Sequence, residues 1–148
     1  MNQKEFDELK EMSGSTGLLS AQTFLIDQNH LDVEWSKQSA AVFEACRLAA
    51  QAQLCFSDYK RQLDVKKAEA STDIRRNPDR YGFNVKPTEG AIEAQITALP
   101  VIQDLQDKII HAKYQYELCN AAVTALDNKK KGLESLTRLR AMNYYAAK

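Results

Sequence analysis

Lys60, Lys67 and Arg75 recur along one stretch of the chain, and Arg61 stands beside the first of them. At 100° per residue the three fall within roughly 80° of arc on a helix. They flank an apolar stripe of Phe56, Tyr59, Leu63, Ala70 and Ile74 without interrupting it. Arg76 and Arg80 carry the positive charge onward, beside Tyr81 and Phe83. A second cluster, Lys129, Lys130 and Lys131, is followed by Arg138 and Arg140. Cations that track a phosphate backbone, with aromatic rings for stacking bases, are the chemistry of single-strand binding without sequence preference. The competing account is a solvated flank. Lys60 and Asp64 stand four apart, and Asp64 sits inside the basic arc.

Other chemistry is sparse. The histidines are His30 and His111. Asp104, Asp107 and His111 share a helix face at i, i+3 and i+7, but no matching carboxylates stand out on a facing helix. A solvated face is the reading adopted. Cys46 and Cys55 are nine residues apart, about 180° around a helix, and cannot grip one ion together. No phosphate-cradling glycine loop, Ser/His/Asp set or zinc spacing is present. The expectation is a protein that is not an enzyme, with no catalytic residue, metal or cofactor.

The elements that must hold these residues follow from what is missing. Ser36–Asn77 contains neither glycine nor proline, and Val101–Lys148 contains one glycine and no proline. Two long helices are expected, at about 32–77 and about 100–146. Pro78 stops the first, since the residue before a proline resists the α region. Residues 75–90 (RRNPDRYGFNVKPTEG) form the tip, and Thr88 caps a short helix reaching Leu99. Pro100 suits the first position of a helix. Asp32 is the expected N-cap of the first long helix. The second helix has two seam series: Ile102, Ile109, Tyr116, Val123, Lys130, Thr137 and Tyr144, and Leu105, Ala112, Cys119, Leu126, Leu133 and Arg140. Coiled-coil-like packing follows. In an antiparallel pair the Lys129–Lys131 cluster is expected to face roughly Cys46–Lys60. The fold class is all-α: a long antiparallel helical hairpin, with a short N-terminal segment over 1–31.

Between Ala40 and Phe56 the first helix is apolar almost all round, and a helix apolar on every side is buried on every side. One partner helix covers one side. A homo-oligomer is therefore expected, with Val42, Phe43, Cys46, Leu54 and Phe56 at its interface. Lys4–Met12 reads as a short amphipathic helix through Phe6, Leu9 and Met12. Ser13–Gly17 reads as a break, and Phe24–Ile26 as a patch that docks on the long helices.

The 148 residues carry 20 basic and 20 acidic side chains. Residues 1–35 hold two basic against seven acidic side chains, while each long helix has a balance of +3. The acidic head suits a basic face or a basic partner. The three cysteines form no CxxC pair and read as small buried hydrophobes in a reducing cytoplasm. No apolar run is long enough for a transmembrane span, and Met1–Lys10 is too charged for a signal peptide.

Certain strings form a recognisable pattern. Trp35 follows the acidic head, and Lys60-Arg61-Gln62-Leu63-Asp64 lies on the first helix. Ile74-Arg75-Arg76-Asn77-Pro78 and Lys86-Pro87-Thr88-Glu89 frame the tip. The end runs from Leu133-Glu134-Ser135-Leu136 to Tyr144-Tyr145-Ala146-Ala147. Over about residues 35–148 the chain resembles the UvsY-like recombination mediator proteins of tailed phages. The resemblance implies a ring-like homo-oligomer in the cytoplasm of the host cell. It implies binding of single-stranded DNA and help for a RecA-like recombinase in displacing single-strand-binding protein, in recombination, repair and replication. The family's basic segment maps to Lys60 and Arg61. The alternative is a structural or adaptor coiled-coil protein with no nucleic-acid role.

Overall fold

Thr88 and the prolines Pro78 and Pro100 set the element ends in the computed structural model, which describes residues 21–142. A four-residue helix α1 (Ala21–Phe24) precedes the long helix α2 (Leu31–Arg76). A 3₁₀ turn occupies Pro78–Tyr81, then come α3 (Glu89–Ala98) and α4 (Pro100–Ala141). At 46 and 42 residues, α2 and α4 measure about 69 and 63 Å. The Thr88 side chain accepts from the Ala91 amide at 3.3 Å, the expected N-cap bond. The Leu99 carbonyl takes the first amides of α4, those of Ile102 and Gln103. Pro100, lacking an N–H, leaves no donor unsatisfied there. Gly82 follows the 3₁₀ turn at φ 81°, which its missing Cβ permits. The described residues include no strand.

Helix α2 starts one residue before the sequence indicates. Asp32 therefore sits in its first turn and not at its N-cap. Asp27 closes the preceding turn instead, accepting from the Asn29 amide at 2.9 Å and pairing with His30 Nδ1 at 2.8 Å.

The chain divides into two compact units, Met1–Gln51 with Glu117–Lys148, and Ala52–Tyr116. In the first, α2 and α4 pack antiparallel: Gln38 meets Leu126, while Glu34 meets Lys129. Its core is Leu31, Ala45, Leu48 and Ala49 against Cys119, Ala122, Leu126 and Leu133. In the second unit Ile74, Ile92, Ile96 and Ile102 form one buried cluster, with Leu63, Ala70, Tyr81, Phe83 and Leu99 packed on it.

The seam of α4 is half as expected. Leu105, Ala112, Cys119, Leu126 and Leu133 are all buried, one every seven residues. The other series holds at Ile102 and then slips. Ile109, Tyr116 and Val123 are half-buried, and Lys130 and Thr137 are exposed. Ala122, Lys129 and Leu136, one residue earlier, take the inner positions. Arg140, at the end of the buried series, is exposed.

Cys55 and Cys119 are buried, and burial pushes both thiols above their usual range. Cys46 is exposed, contrary to the reading of all three as buried. It points to the side of α2 away from Ala45 and Leu48. Phe6, Leu9, Met12, the break at Ser13–Gly17 and Tyr144 lie outside the described residues.

Candidate nucleic-acid interface

In the second unit the basic residues of α2 lie at the surface, on a framework that α3 and the tip hold in place. Each is tethered lightly. Lys60 Nζ stands 5.3 Å from the centre of the Phe56 ring, a cation–π contact. Arg61 donates to Asp58 at 2.7 Å, and Gln62 donates to the other Asp58 oxygen. Those bonds, Arg61's first, hold the Asp58 carboxyl below its usual range. Lys66 pairs with Glu69 at 2.7 Å. Lys67 makes no ion pair with any described residue and is exposed. Arg75 reaches Glu89, at the start of α3, at 2.6 Å. Exposed pairs of this kind are worth roughly 0–1 kcal/mol, so a phosphate can replace the carboxylate at little cost.

The tip is organised by Asp73. Its carboxylate accepts from the Tyr81 hydroxyl at 2.5 Å and from Asn77 Nδ2 at 2.8 Å, and Arg80 approaches to 3.9 Å. The Tyr81 hydrogen bond, then that of Asn77, keeps Asp73 below the ordinary carboxylate range. The same bond pushes the Tyr81 phenol up. Arg76 and Arg80 are exposed around this knot. Tyr81 and Phe83 are not open stacking platforms, however. Both pack on the isoleucine cluster, and the Tyr81 hydroxyl is occupied. Both rings are half-buried, so only part of each faces outward.

In the first unit the Lys129–Lys131 cluster is split. Lys129 is built into the helix pair: its side chain is 11% exposed and its Nζ stands 2.7 Å from Glu34, itself 18% exposed. It also donates to the Thr23 carbonyl at 2.9 Å. Lys130 and Lys131 stay at the surface, beside Glu134 at 3.9 Å and Asp127 at 2.8 Å. The Asp127 bond raises Lys131 above its usual value. The cluster lies opposite the start of α2 and not opposite Cys46–Lys60. Within that unit the Glu34–Lys129 and Gln38–Leu126 contacts fix this level.

Around Lys129 stand two polar contacts that sequence reasoning missed. Gln38, buried, donates to the Leu126 carbonyl at 2.7 Å. Trp35 Nε1 donates to the Thr137 hydroxyl at 3.1 Å. Gln38 stands seven residues from both Leu31 and Ala45, and that spacing was the available signal.

Among the expected assembly residues, Phe43 and Leu54 are 70% and 68% exposed. Cys46 is exposed, and Val42 and Phe56 are half-buried. Asp104 pairs with Lys108 at 2.8 Å. The described residues include no group of three side chains able to hold a metal ion, and no helix long and apolar enough to cross a membrane. The chain matches no family model, no curated protein and no solved structure.

Proposed function

We propose that this protein is a non-enzymatic recombination mediator that binds single-stranded DNA as a homo-oligomer and helps load a RecA-like recombinase in place of single-strand-binding protein. One observation carries the DNA-binding part: Lys60, Arg61, Lys67, Arg75, Arg76 and Arg80 are all exposed in one unit. Phosphate contact is their role, and Lys130 and Lys131 are exposed cations of the first unit with the same capacity. Binding of this kind is sequence-indifferent and weakens steeply with salt. The recombinase and single-strand-binding protein enter through the family resemblance alone.

Exposed apolar side chains support the homo-oligomer in this reading. Phe43 in one unit and Leu54 in the other leave large apolar side chains in water, which a second copy would cover. Repetition of a weak basic site around an oligomer raises avidity without any new contact, so a neutral chain can hold a polyanion.

The test is a mobility shift with labelled oligothymidylate at low and moderate salt. Replacing Lys60 and Arg61 with alanine is expected to weaken binding and leave the mass in solution unchanged. Affinity equal to that of the unmodified protein would sink the assignment. A second reading, a structural or adaptor coiled-coil protein, draws on the carboxylates beside the cations: Asp58, Glu69 and Glu89 neutralise much of the arc. It predicts no shift at any salt.

A further inference from the structure

In the second unit one carboxylate fastens the 3₁₀ turn of the tip at both ends. Asp73 stands in the last turn of α2, and the 3₁₀ turn over Pro78–Tyr81 follows. Asp73 Oδ1 accepts from Asn77 Nδ2 at 2.8 Å, just before the turn. Asp73 Oδ2 accepts from the hydroxyl of Tyr81, its last residue, at 2.5 Å. Arg80 is carried between these two fastenings. Asn77 holds the N-cap position, where an asparagine side chain ordinarily accepts from the amides that follow. Here it makes no such bond, and its side chain is turned to Asp73 instead. The backbone adds the Asn77 amide on the Asp73 carbonyl at 2.9 Å. The Tyr81 ring rests on the isoleucine cluster. The place of Arg80 relative to Arg76, which α2 itself carries, is thus set through Asp73.

Both donors to the Asp73 carboxylate are neutral. With its oxygens engaged, it stays 3.9 Å from Arg80 Nη1, whereas Arg61 and Arg75 close on their carboxylates at 2.7 and 2.6 Å. The Arg80 side chain remains 76% exposed. The carboxylate therefore anchors the turn without capturing the cation. A cation whose mount is already fixed loses less freedom when it meets a ligand, and this lowers the cost of binding.

We propose that Asp73 is a positioning residue for phosphate contact: through Asn77 and Tyr81 it holds the turn so that Arg80 is presented to a strand beside Arg76. The proposal rests on the nucleic-acid reading above. Its sign sets it apart from simple electrostatics. A negative charge among cations weakens a polyanion's attraction, yet this one is inferred to strengthen the contact.

Oligothymidylate titration of the full chain tests the role. Asp73→Ala removes the fastening together with one negative charge. Charge alone predicts tighter binding, and the positioning role predicts binding several-fold weaker. Asp73→Asn keeps an acceptor for the Tyr81 hydroxyl and a group able to bond Asn77, without the charge. It is expected to bind at least as tightly as the unmodified protein. Tyr81→Phe alters no charge, retains the ring on the cluster, and is expected to weaken binding less than Asp73→Ala. Arg80→Ala should cost several-fold in the unmodified background and much less in the Asp73→Ala background, since residues that act together are not additive. Hydrogen exchange over Glu89–Ala98 reports whether the isoleucine cluster survives each change, and Tyr81→Phe carries the test if Asp73→Ala loosens it. Binding by Asp73→Ala and Tyr81→Phe that equals or exceeds that of the unmodified protein would overturn the positioning role and leave the nucleic-acid reading in place. An equal loss from Arg80→Ala in both backgrounds would overturn it too. No binding by any form, the unmodified protein included, would remove the nucleic-acid reading itself and the role of Asp73 with it.

Discussion

The two units solve the same packing problem with different means. The second is held by branched aliphatic side chains: Ile74, Ile92, Ile96 and Ile102 meet in one cluster, drawn from α2, α3 and α4. The first sets leucines such as Leu48, Leu126 and Leu133 among small residues such as Ala45, Ala49 and Ala122, and adds polar pins at Gln38, Glu34, Lys129 and Trp35. Apolar burial is non-directional and fixes how much is covered. A buried amide bonded to one carbonyl fixes which residue lies opposite which. The first unit therefore has a register written in hydrogen bonds, and the second has a shape filled by isoleucine. The basic residues divide accordingly. In the second unit they remain at the surface, whereas in the first Lys129 has become part of the pin.

The largest expected effects come from the apolar core that each unit has. Ile74 and Leu133 are both fully buried. Truncating either to alanine is expected to cost about 2–5 kcal/mol in denaturant unfolding. The two should differ in where the loss appears. Ile74→Ala is expected to speed hydrogen exchange in Glu89–Ala98, because α3 depends on that cluster. Leu133→Ala is expected to speed exchange at the start of α2 and leave α3 protected. Identical exchange maps would show that the division into two units has no energetic meaning.

Next come the pins. Gln38→Ala removes a bond to a carbonyl in a dry seam and is expected to cost about 1–3 kcal/mol. Lys129→Ala leaves Glu34 poorly solvated without its cation, and a similar loss of about 1–3 kcal/mol is expected. Lys130→Ala, one residue away and half exposed, should leave the unfolding midpoint in place. If Lys129 and Lys130 prove equal in stability and in DNA affinity, the cluster is uniform and the contrast with the second unit fails.

A smaller effect tests the cap. Thr88→Ala removes the side-chain bond at the start of α3 and is expected to cost about 1 kcal/mol. The loss should fall on α3 and on the Arg75–Glu89 contact, since Glu89 is its first residue. Thermal unfolding and exchange over Glu89–Ala98 check it together.

These contrasts also show what the amino-acid order revealed. Helix ends at Pro78, Thr88 and Pro100 were legible because each is a local effect of one residue on its own backbone. The buried series from Leu105 to Leu133 was legible because a seven-residue apolar repeat survives moderate drift. The level of Lys129 was not legible. It is set by contacts between distant residues of the first unit, Gln38 with Leu126 and Glu34 with Lys129, which no local pattern encodes. The role of Gly132 was hidden for the same reason, since it appears only once Ile26 lies over it, with Cδ1 2.9 Å from where a Cβ would stand. That Tyr81 and Phe83 pack in part on the isoleucine cluster was not legible, because an aromatic near a basic run looks alike whether it faces solvent or core. For the candidate interface, residue type and spacing found the cations, and only the fold separated those at the surface from the one in the seam.

The smallest expected effects concern pH, and they oppose the tip of one unit to the turn before α2 in the other. Asp73 is held below its usual value by Tyr81 and Asn77, so its stabilising share is present at neutral pH and is lost as pH falls through its lowered value. The raised Tyr81 phenol stays protonated and able to donate throughout the neutral range. The Asp27–His30 turn behaves differently. Asp27 is lowered by His30, and its share is likewise lost in acid. His30 is raised by Asp27, so its share is full below the ordinary histidine value and fades as pH rises through the folded one. The tip should therefore be indifferent between pH 5 and 8, while the turn before α2 loosens over the upper part of that window. Side-chain NMR titration of His30 and the amide shifts of residues 27–34 should move together there, with residues 73–82 still. Replacing Asp27 with asparagine should return the His30 midpoint towards that of a free imidazole. A His30 midpoint that does not respond would mean that the turn is held by its backbone bonds alone, and that only the tip carries a titrating knot.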